Sequence, residues 1–315
     1  MKIALAPMCG ITDWIFRTLC GEQGCETACT EMISAMGYLC APGQRATQEL
    51  MIRGPKEKRL ILQLFGKDPD VVAEAAARMD QLKRYDGFDL NMGCPAHKIA
   101  PSGEGCGLMR TPEIAFRMMR KTVQAVSVPV SVKMRLGWDE DHLNACEIAR
   151  MAEEAGIAEI TVHGRTRAQQ YSGEADWDKI REVKEAVNIP VIGNGDIFTP
   201  EDAVKRLRES GTDGIMIGRG VMGNPWIFRG IRQKLAGEEP TTVSLEERRA
   251  LIERHYAMMM DAKPEHIAVR EMRKHIGWYI HGLRGAAQVR AGINRCATRD
   301  EAMRLLDQFF QGESV

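Results

Sequence analysis

The sequence predicts an α/β protein, a (β/α)8 TIM barrel followed by a C-terminal all-helical domain. Three observations carry that expectation. Short β-type runs alternate with longer helical patterns through the first 240 residues, and alternation of this spacing predicts a parallel sheet. Pro69, Pro112 and Pro200 each stand near a helix start, and Gly156 and Gly211 follow helix ends. Beyond Gly237-Glu238-Glu239-Pro240-Thr241-Thr242 the strand pattern stops and the apolar repeats are helical.

Taken in order, the expected strands are Ile3–Pro7, Thr27–Glu31, Leu60–Phe65, Gly87–Met92, Val130–Met134, Glu159–His163, Val191–Asn194 and Gly214–Ile217. Between them the expected helices are Asp70–Leu82, Pro112–Ala125, Asn144–Ala155, Trp177–Ala186 and Pro200–Glu209. Thr111 is a suitable N-cap, Pro112 suits the first helical turn, and Glu113 favours a helix N-terminus. The stretch 34–59 reads as loop and irregular helix. After the break, Leu245–Met260, Ile267–Ile280, Ala286–Asn294 and Thr298–Phe310 read as helices. The expected domains are therefore residues 1–240 and 241–315.

The 315 residues suffice for one large barrel and a smaller appendix. Hydrophobic residues make up 44 %, enough for a sizeable core, and no apolar run is long enough to span a bilayer. The first residues read as a strand, too short for a signal peptide. Formal net charge is zero, so any affinity for an anionic partner rests on how charge is distributed. The nine cysteines have no C-x-x-C pair in the early group Cys9, Cys20, Cys25, Cys29 and Cys40, which argues against zinc. Free thiols in a reducing cytoplasm are expected, with no metal.

The chemistry gathers at the strand ends, where parallel α/β enzymes carry their reactive groups. Strand four closes in Asn91-Met92-Gly93-Cys94-Pro95, which sets a thiol on a rim loop. Cys106 follows among glycines, and the tight corner around Cys94 makes Cys94 the candidate catalytic thiol. Lys133 and Arg135, two residues apart on a strand, point the same way. Either face of a barrel strand is a poor place for two cations, at roughly several kcal/mol each if unpaired. They are expected to face bound anionic or electron-rich groups. The Gly-rich ends Asn194-Gly195-Asp196 and Gly218-Arg219-Gly220 suit a phosphate, because backbone N–H groups can approach closely there.

These pieces resemble a family. Pro7-Met8, Thr30-Glu31-Met32, Gln63-Leu64-Phe65-Gly66, Asn91-Met92-Gly93-Cys94-Pro95, Lys133-Met134-Arg135-Leu136-Gly137-Trp138, His163-Gly164-Arg165-Thr166, Asn194-Gly195-Asp196 and Ile217-Gly218-Arg219-Gly220 are similar, in order, to the tRNA-dihydrouridine synthases. The resemblance implies FMN on the C-terminal rim of the barrel. Pro7, Met8 and Cys9 would border its ring system, Gln63 and Lys133 would contact its polar edge, and His163 would lie close by. Asn194, Gly195, Asp196, Gly218 and Arg219 would hold the phosphate end. It further implies that NADPH reduces the flavin, that a hydride passes to C6 of a uracil in tRNA, and that Cys94 gives a proton to C5. Asn91 and Arg135 would hold the uracil edge. An ordinary thiol is mostly protonated at neutral pH and needs no special tuning to act as an acid.

The appendix carries its own signal. From Lys263 to Arg299 eight basic residues face only Glu265 and Glu271, a local excess of +6 in a neutral chain. His266, His275, His281, Trp278 and Tyr279 interleave with them. Such a segment suits phosphate contacts to RNA. The competing expectation is an FMN-dependent barrel reducing a free pyrimidine or another small enone, which needs no basic arm. Nothing in the sequence calls for an obligate protein partner, and a monomer is expected.

Overall fold

The architecture comes from a computed structural model that describes residues 1–313. The strands are β1 (Lys2–Leu5), β2 (Thr27–Cys29), β3 (Ile33–Ser34), β4 (Arg59–Phe65), β5 (Gly87–Met92), β6 (Val130–Met134), β7 (Glu159–His163), β8 (Val191–Asn194) and β9 (Gly214–Ile217). All pairings between them are parallel. The order β2-β1-β9-β8-β7-β6-β5-β4 is closed by a β2–β4 pairing, so eight strands form a barrel. The two-residue β3 pairs with the end of β4 alongside Leu64 and Phe65. The eight expected strands are the eight barrel strands.

Amphipathic helices connect them. Pro69–Asp80, Pro112–Ala125, Ala145–Ala155, Trp177–Ala186 and Pro200–Ser210 each turn an apolar stripe inward. Their ends follow local chemistry. The Asp68 carboxylate accepts from the Asp70 and Val71 N–H groups, and Thr199 forms a reciprocal capping box with Asp202. Gly156 and Gly211 close their helices in the left-handed conformation.

Thr111 departs from expectation. It stands at the start of Pro112–Ala125, yet its hydroxyl makes no cap and donates to the Leu108 carbonyl. The 3-10 helix Gly105–Arg110 runs directly into this helix, which leaves the Leu108 carbonyl as the nearer partner. Two further helices, Trp14–Glu22 and Ile227–Leu235, stand outside the expected ones, and Ala35–Cys40 and Arg45–Leu50 fall within the stretch read as loop and irregular helix.

The chain forms two compact units, Met1–Arg219 and the stretch from Gly220 onward. Ile227–Leu235 therefore belongs with the helices Leu245–Ala262, Glu265–Tyr279, Ala286–Ile293 and Arg299–Glu313. Within that unit Ile252, Tyr256, Met259, Met272, Ile276 and Tyr279 form a buried core. Among the described residues no helix is long and apolar enough to cross a membrane.

Candidate active site

Polar side chains line much of the barrel interior, beside the buried apolar cluster of Ala4, Ala6, Ile192 and Met216. At the base Lys2 on β1 reaches Glu159 on β7 at 2.6 Å. Above it Asp89 on β5 accepts from the Gln63 amide on β4 at 2.7 Å and from the Ser131 hydroxyl on β6 at 2.6 Å. Burial pushes the Asp89 carboxyl up to about 6, against the pull of those two donors. Gln63 in turn accepts from the Asn91 amide at 2.8 Å. Both ends of the Gln63 amide are thus committed to neighbours.

Lys133 stands one layer higher. Its ammonium donates to Asn194 Oδ1 at 2.9 Å, and the Asn194 amide donates to the Met216 carbonyl at 2.8 Å. Burial, with the nearby Arg135 charge, brings the Lys133 ammonium down to about 8. Its charge is held in place with no carboxylate at ion-pairing distance among the described residues.

Arg135 shares that face and is buried, but its hydrogen bonds go to backbone. Nε donates to the Gly93 carbonyl, and Nη1 donates to the Thr166 and Gln170 carbonyls. The guanidinium ties the loop after β5 to the loop after β7. Asn91 is a second tie. Its Oδ1 accepts from the N–H groups of Gly93 and Cys94 at 3.1 and 2.9 Å. The Cys94 carbonyl accepts from the Cys106 N–H at 3.1 Å. Gly105, with φ +55°, lets the chain fold back there, since a Cβ at that position would lie 2.9 Å from the Cys94 carbonyl oxygen. Cys94 is therefore half-buried on a loop fixed at three points. Cys106 is fully buried, and burial pushes its thiol up to about 12.

The rim beyond β7, β8 and β9 is cationic. His163 is buried, and burial together with the charges of Arg135, Lys133, Arg165 and Arg219 drives its ring well below the usual imidazole range. It is neutral at pH 7. Arg165 forks onto Asp196 at 3.0 and 2.6 Å, and Arg219 donates to the same carboxylate at 2.8 Å. Burial opposes the Asp196 charge, but these donors and the Ala175 N–H outweigh it and hold the carboxyl below the usual range. Gly195 sits at φ +132°, where a Cβ would approach Ala175 Cβ to 2.6 Å. Gly218 differs. A Cβ there would meet only Ala6 and Met8, at 3.9 and 4.0 Å, so the protein's own packing does not require a glycine.

The chain's residues 4–314 match the dihydrouridine synthase family model. The chain belongs to the dihydrouridine synthase family. It is 43 % identical over 294 residues to the probable tRNA-dihydrouridine synthase of Rickettsia conorii, covering 93 % of this chain and 88 % of that protein. It is 39 % identical over 310 residues to tRNA-dihydrouridine synthase B of Pseudomonas aeruginosa, covering 98 % and 92 %. A variant of morphinone reductase in complex with tetrahydroNAD shares the fold at 10 % identity, with a TM-score of 0.53 over 78 % of this chain and 89 % of that one.

In this member of the family the structure brings the expected residues to one end of the barrel in two groups. Pro7, Met8, Cys9, Cys94, Gly218 and Arg219 border the rim, Pro7 and Met8 half-buried and Cys9 exposed. Gln63, Asn91, Lys133, Arg135, His163 and Asn194 lie beneath or between the loops and are tied to protein partners. Arg165 escaped the sequence reading as a site residue. Its signal was its place two residues after His163, which puts both on one face.

The helical unit sorts its charges as well. Lys263 pairs with Glu271, and Arg273 donates to the Cys296 carbonyl. Arg270, Arg284, Arg290 and Arg295 are exposed, and among the described residues none has an ion pair. His275 and Tyr279, read from the sequence as part of that basic surface, are instead in the core.

Proposed function

We propose that this chain is an FMN-dependent tRNA-dihydrouridine synthase that reduces the C5–C6 double bond of specific uridines in tRNA, with NADPH as reductant. The observation that carries this reading is the half-buried Cys94 thiol, pinned at the mouth of a barrel whose rim gathers four cations around a neutral histidine.

The cofactor fit rests on the chain's own geometry. No close packing neighbour crowds Gly218, where a Cβ would make only ordinary van der Waals contact with Ala6 and Met8, so a ligand approaching its backbone there would meet no side chain of its own. Arg219 and the backbone of Gly195 and Asp196 suit the phosphate end, with Asn194 bracing Lys133 from below. Pro7, Met8 and Cys9 would border the ring system, and Lys133 and His163 would meet its polar edge, with Gln63, held by Asp89 and Asn91, supporting that edge from beneath. Bound FMN supplies the hydride that reaches C6.

The protein's part is orientation and one proton. Cys94 Sγ–H delivers that proton to C5, which balances the hydride and leaves a saturated C5–C6 bond and a thiolate that solvent reprotonates. Lys133 offsets negative charge on the reduced cofactor. Asn91 and Arg135 support the uracil edge by holding the Cys94 loop in place. His163, neutral at pH 7, offers a hydrogen bond and adds no repulsive charge. The uridine must leave its stack to reach the site, at a cost of a few kcal/mol, roughly. The unpaired arginines of the helical unit favour an RNA substrate over a free pyrimidine.

The test uses purified protein, tRNA lacking modifications, FMN and NADPH, with nucleoside mass spectrometry. Uridine gaining two hydrogens with wild type, and at least about a hundredfold slower with Cys94→Ala, is the expected result. A yellow protein whose flavin NADPH reduces, but which leaves tRNA unchanged, would point to a small enone substrate.

A further inference from the structure

Three neighbouring loops of the barrel rim build a second cationic feature. Arg110 ends the 3-10 helix Gly105–Arg110 that follows β5. Trp138 sits in the turn after β6, where Gly137 bridges Leu143 and the Trp138 N–H donates to the His142 carbonyl. Arg167 follows β7, its N–H donating to the Gly137 carbonyl. The Arg110 guanidinium lies 4.8 Å from the centre of the Trp138 ring, and that of Arg167 lies 4.7 Å from it. One indole thus organises two cations.

These cations lack what the others on the rim possess. Arg165 and Arg219 share Asp196, and Arg135 is spent on backbone carbonyls. Among the described residues neither Arg110 nor Arg167 has a carboxylate within ion-pairing distance, and Arg167 Nε is buried without an acceptor. Two uncompensated guanidiniums beside one ring repel each other, and each keeps N–H donors to spare. An anion with several acceptor oxygens satisfies both conditions. Planar guanidinium forks match phosphate oxygens.

The cluster is tied to the reactive thiol. Arg135 bonds the carbonyls of Gly93 and Thr166, which immediately precede Cys94 and Arg167. Arg110 closes the same short helix that begins against the Cys94 carbonyl.

We propose that Arg110 and Arg167, held on Trp138, grip a phosphodiester of the RNA strand flanking the reduced uridine. The proposal rests on the reading of tRNA as substrate and adds where the barrel itself holds the strand. Trp138 is a positioning residue that sets the distance between the two guanidiniums.

The experiment measures binding of unmodified tRNA transcript by fluorescence anisotropy across a series of KCl concentrations. It compares wild type, Arg110→Gln, Arg167→Gln, Trp138→Leu and Trp138→Phe, with KM values for tRNA and NADPH determined alongside. Each arginine variant is expected to lower the slope of log K against log salt by about 0.7 to 0.9, as for one lost phosphate contact. Trp138→Leu is expected to lose both contacts, and Trp138→Phe to restore most of the slope. The KM for tRNA rises with these losses. Wild-type slope in both arginine variants overturns the clamp, as does a rise confined to the KM for NADPH, which would assign the cations to the dinucleotide's phosphate. Wild-type protein that shows no salt-dependent tRNA binding overturns the substrate reading itself, a separate outcome.

Discussion

A charged lysine inside a barrel costs stability, and Lys133 shows how much. Its ammonium falls from 10.5 to about 8, so the charged form costs the folded chain roughly 3 kcal/mol at pH 7. The sign follows from proton counting. Between about 8 and 10.5 the unfolded chain holds the proton that the folded chain has released, so stability climbs with pH in that window. Below about 8 the cost is present in full. Lys133→Met removes that cost but loses the Asn194 contact, and the cofactor-free protein is expected to melt about 2–4 °C higher in a thermal scan. The same variant is expected to lose FMN by absorbance after gel filtration. A lower melting temperature would show that the lysine is structurally supportive after all. Function runs the other way with pH. The affinity of the cofactor-free protein for FMN is expected to fall as pH rises through about 8, and Lys133→Arg to flatten that fall. Cys106→Ala tests the neighbouring thiol. With Cys106 fully buried and pushed up to about 12, the variant should reduce uridine within about threefold of wild type.

At the scale of elements, the loop after β5 is shaped by Asn91. Its carboxamide oxygen holds two successive N–H groups, and its NH2 donates to Gln63. Asn91→Ala releases the Cys94 backbone and strands the Gln63 oxygen, at a cost to the fold of about 1–3 kcal/mol. The turnover number is expected to fall about 10- to 100-fold while the KM for tRNA stays within threefold. Turnover measured across a range of tRNA concentrations would check this, and a change confined to KM would mean that Asn91 binds substrate directly. Much at this scale was legible in the sequence. The eight strands carry dense β-type runs, and the barrel helices carry apolar stripes, most with Pro or Gly at an end. Arg45–Leu50 was legible only as part of a stretch of loop and irregular helix, because it buries none of its residues and so has no stripe. The Thr111 cap failed because a neighbouring 3-10 turn offered its hydroxyl a nearer partner.

For the molecule as a whole, the helical unit hides a titratable core beneath its basic surface. His275 packs 4.6 Å from His255, which lies 3.0 Å from the Tyr279 hydroxyl. Burial, then the neighbouring His255, drives the His275 ring well below 6.5. A base whose folded value is depressed contributes stability present above its unfolded value and lost as pH falls. Circular dichroism melts of the full chain should therefore show stability falling below pH 6.5, by up to about 1.4 kcal/mol per pH unit for this group. His275→Phe should shallow that fall. The sequence reading placed His275 and Tyr279 on the basic surface, although the phase of the helix puts them in its apolar stripe. Val269, Met272, Ile276 and Tyr279 recur at helical spacing, and His275 lies within that stripe, so its burial follows from phase rather than from composition.

By itself the sequence determined the order of strands and helices, the thiol at a strand end and the set of polar residues at the barrel mouth. Those features are local, since periodicity, caps and turn residues act within a few positions of one another. Only the tertiary structure decided which charges are answered. Closing the barrel brings Lys2 to Glu159, 157 residues on, and Arg165 to Asp196, 31 residues on. It commits Arg135 to backbone carbonyls, and it leaves Arg110 and Arg167 on one indole without a carboxylate among the described residues. Charge compensation depends on distance through space, which spacing along the chain does not encode.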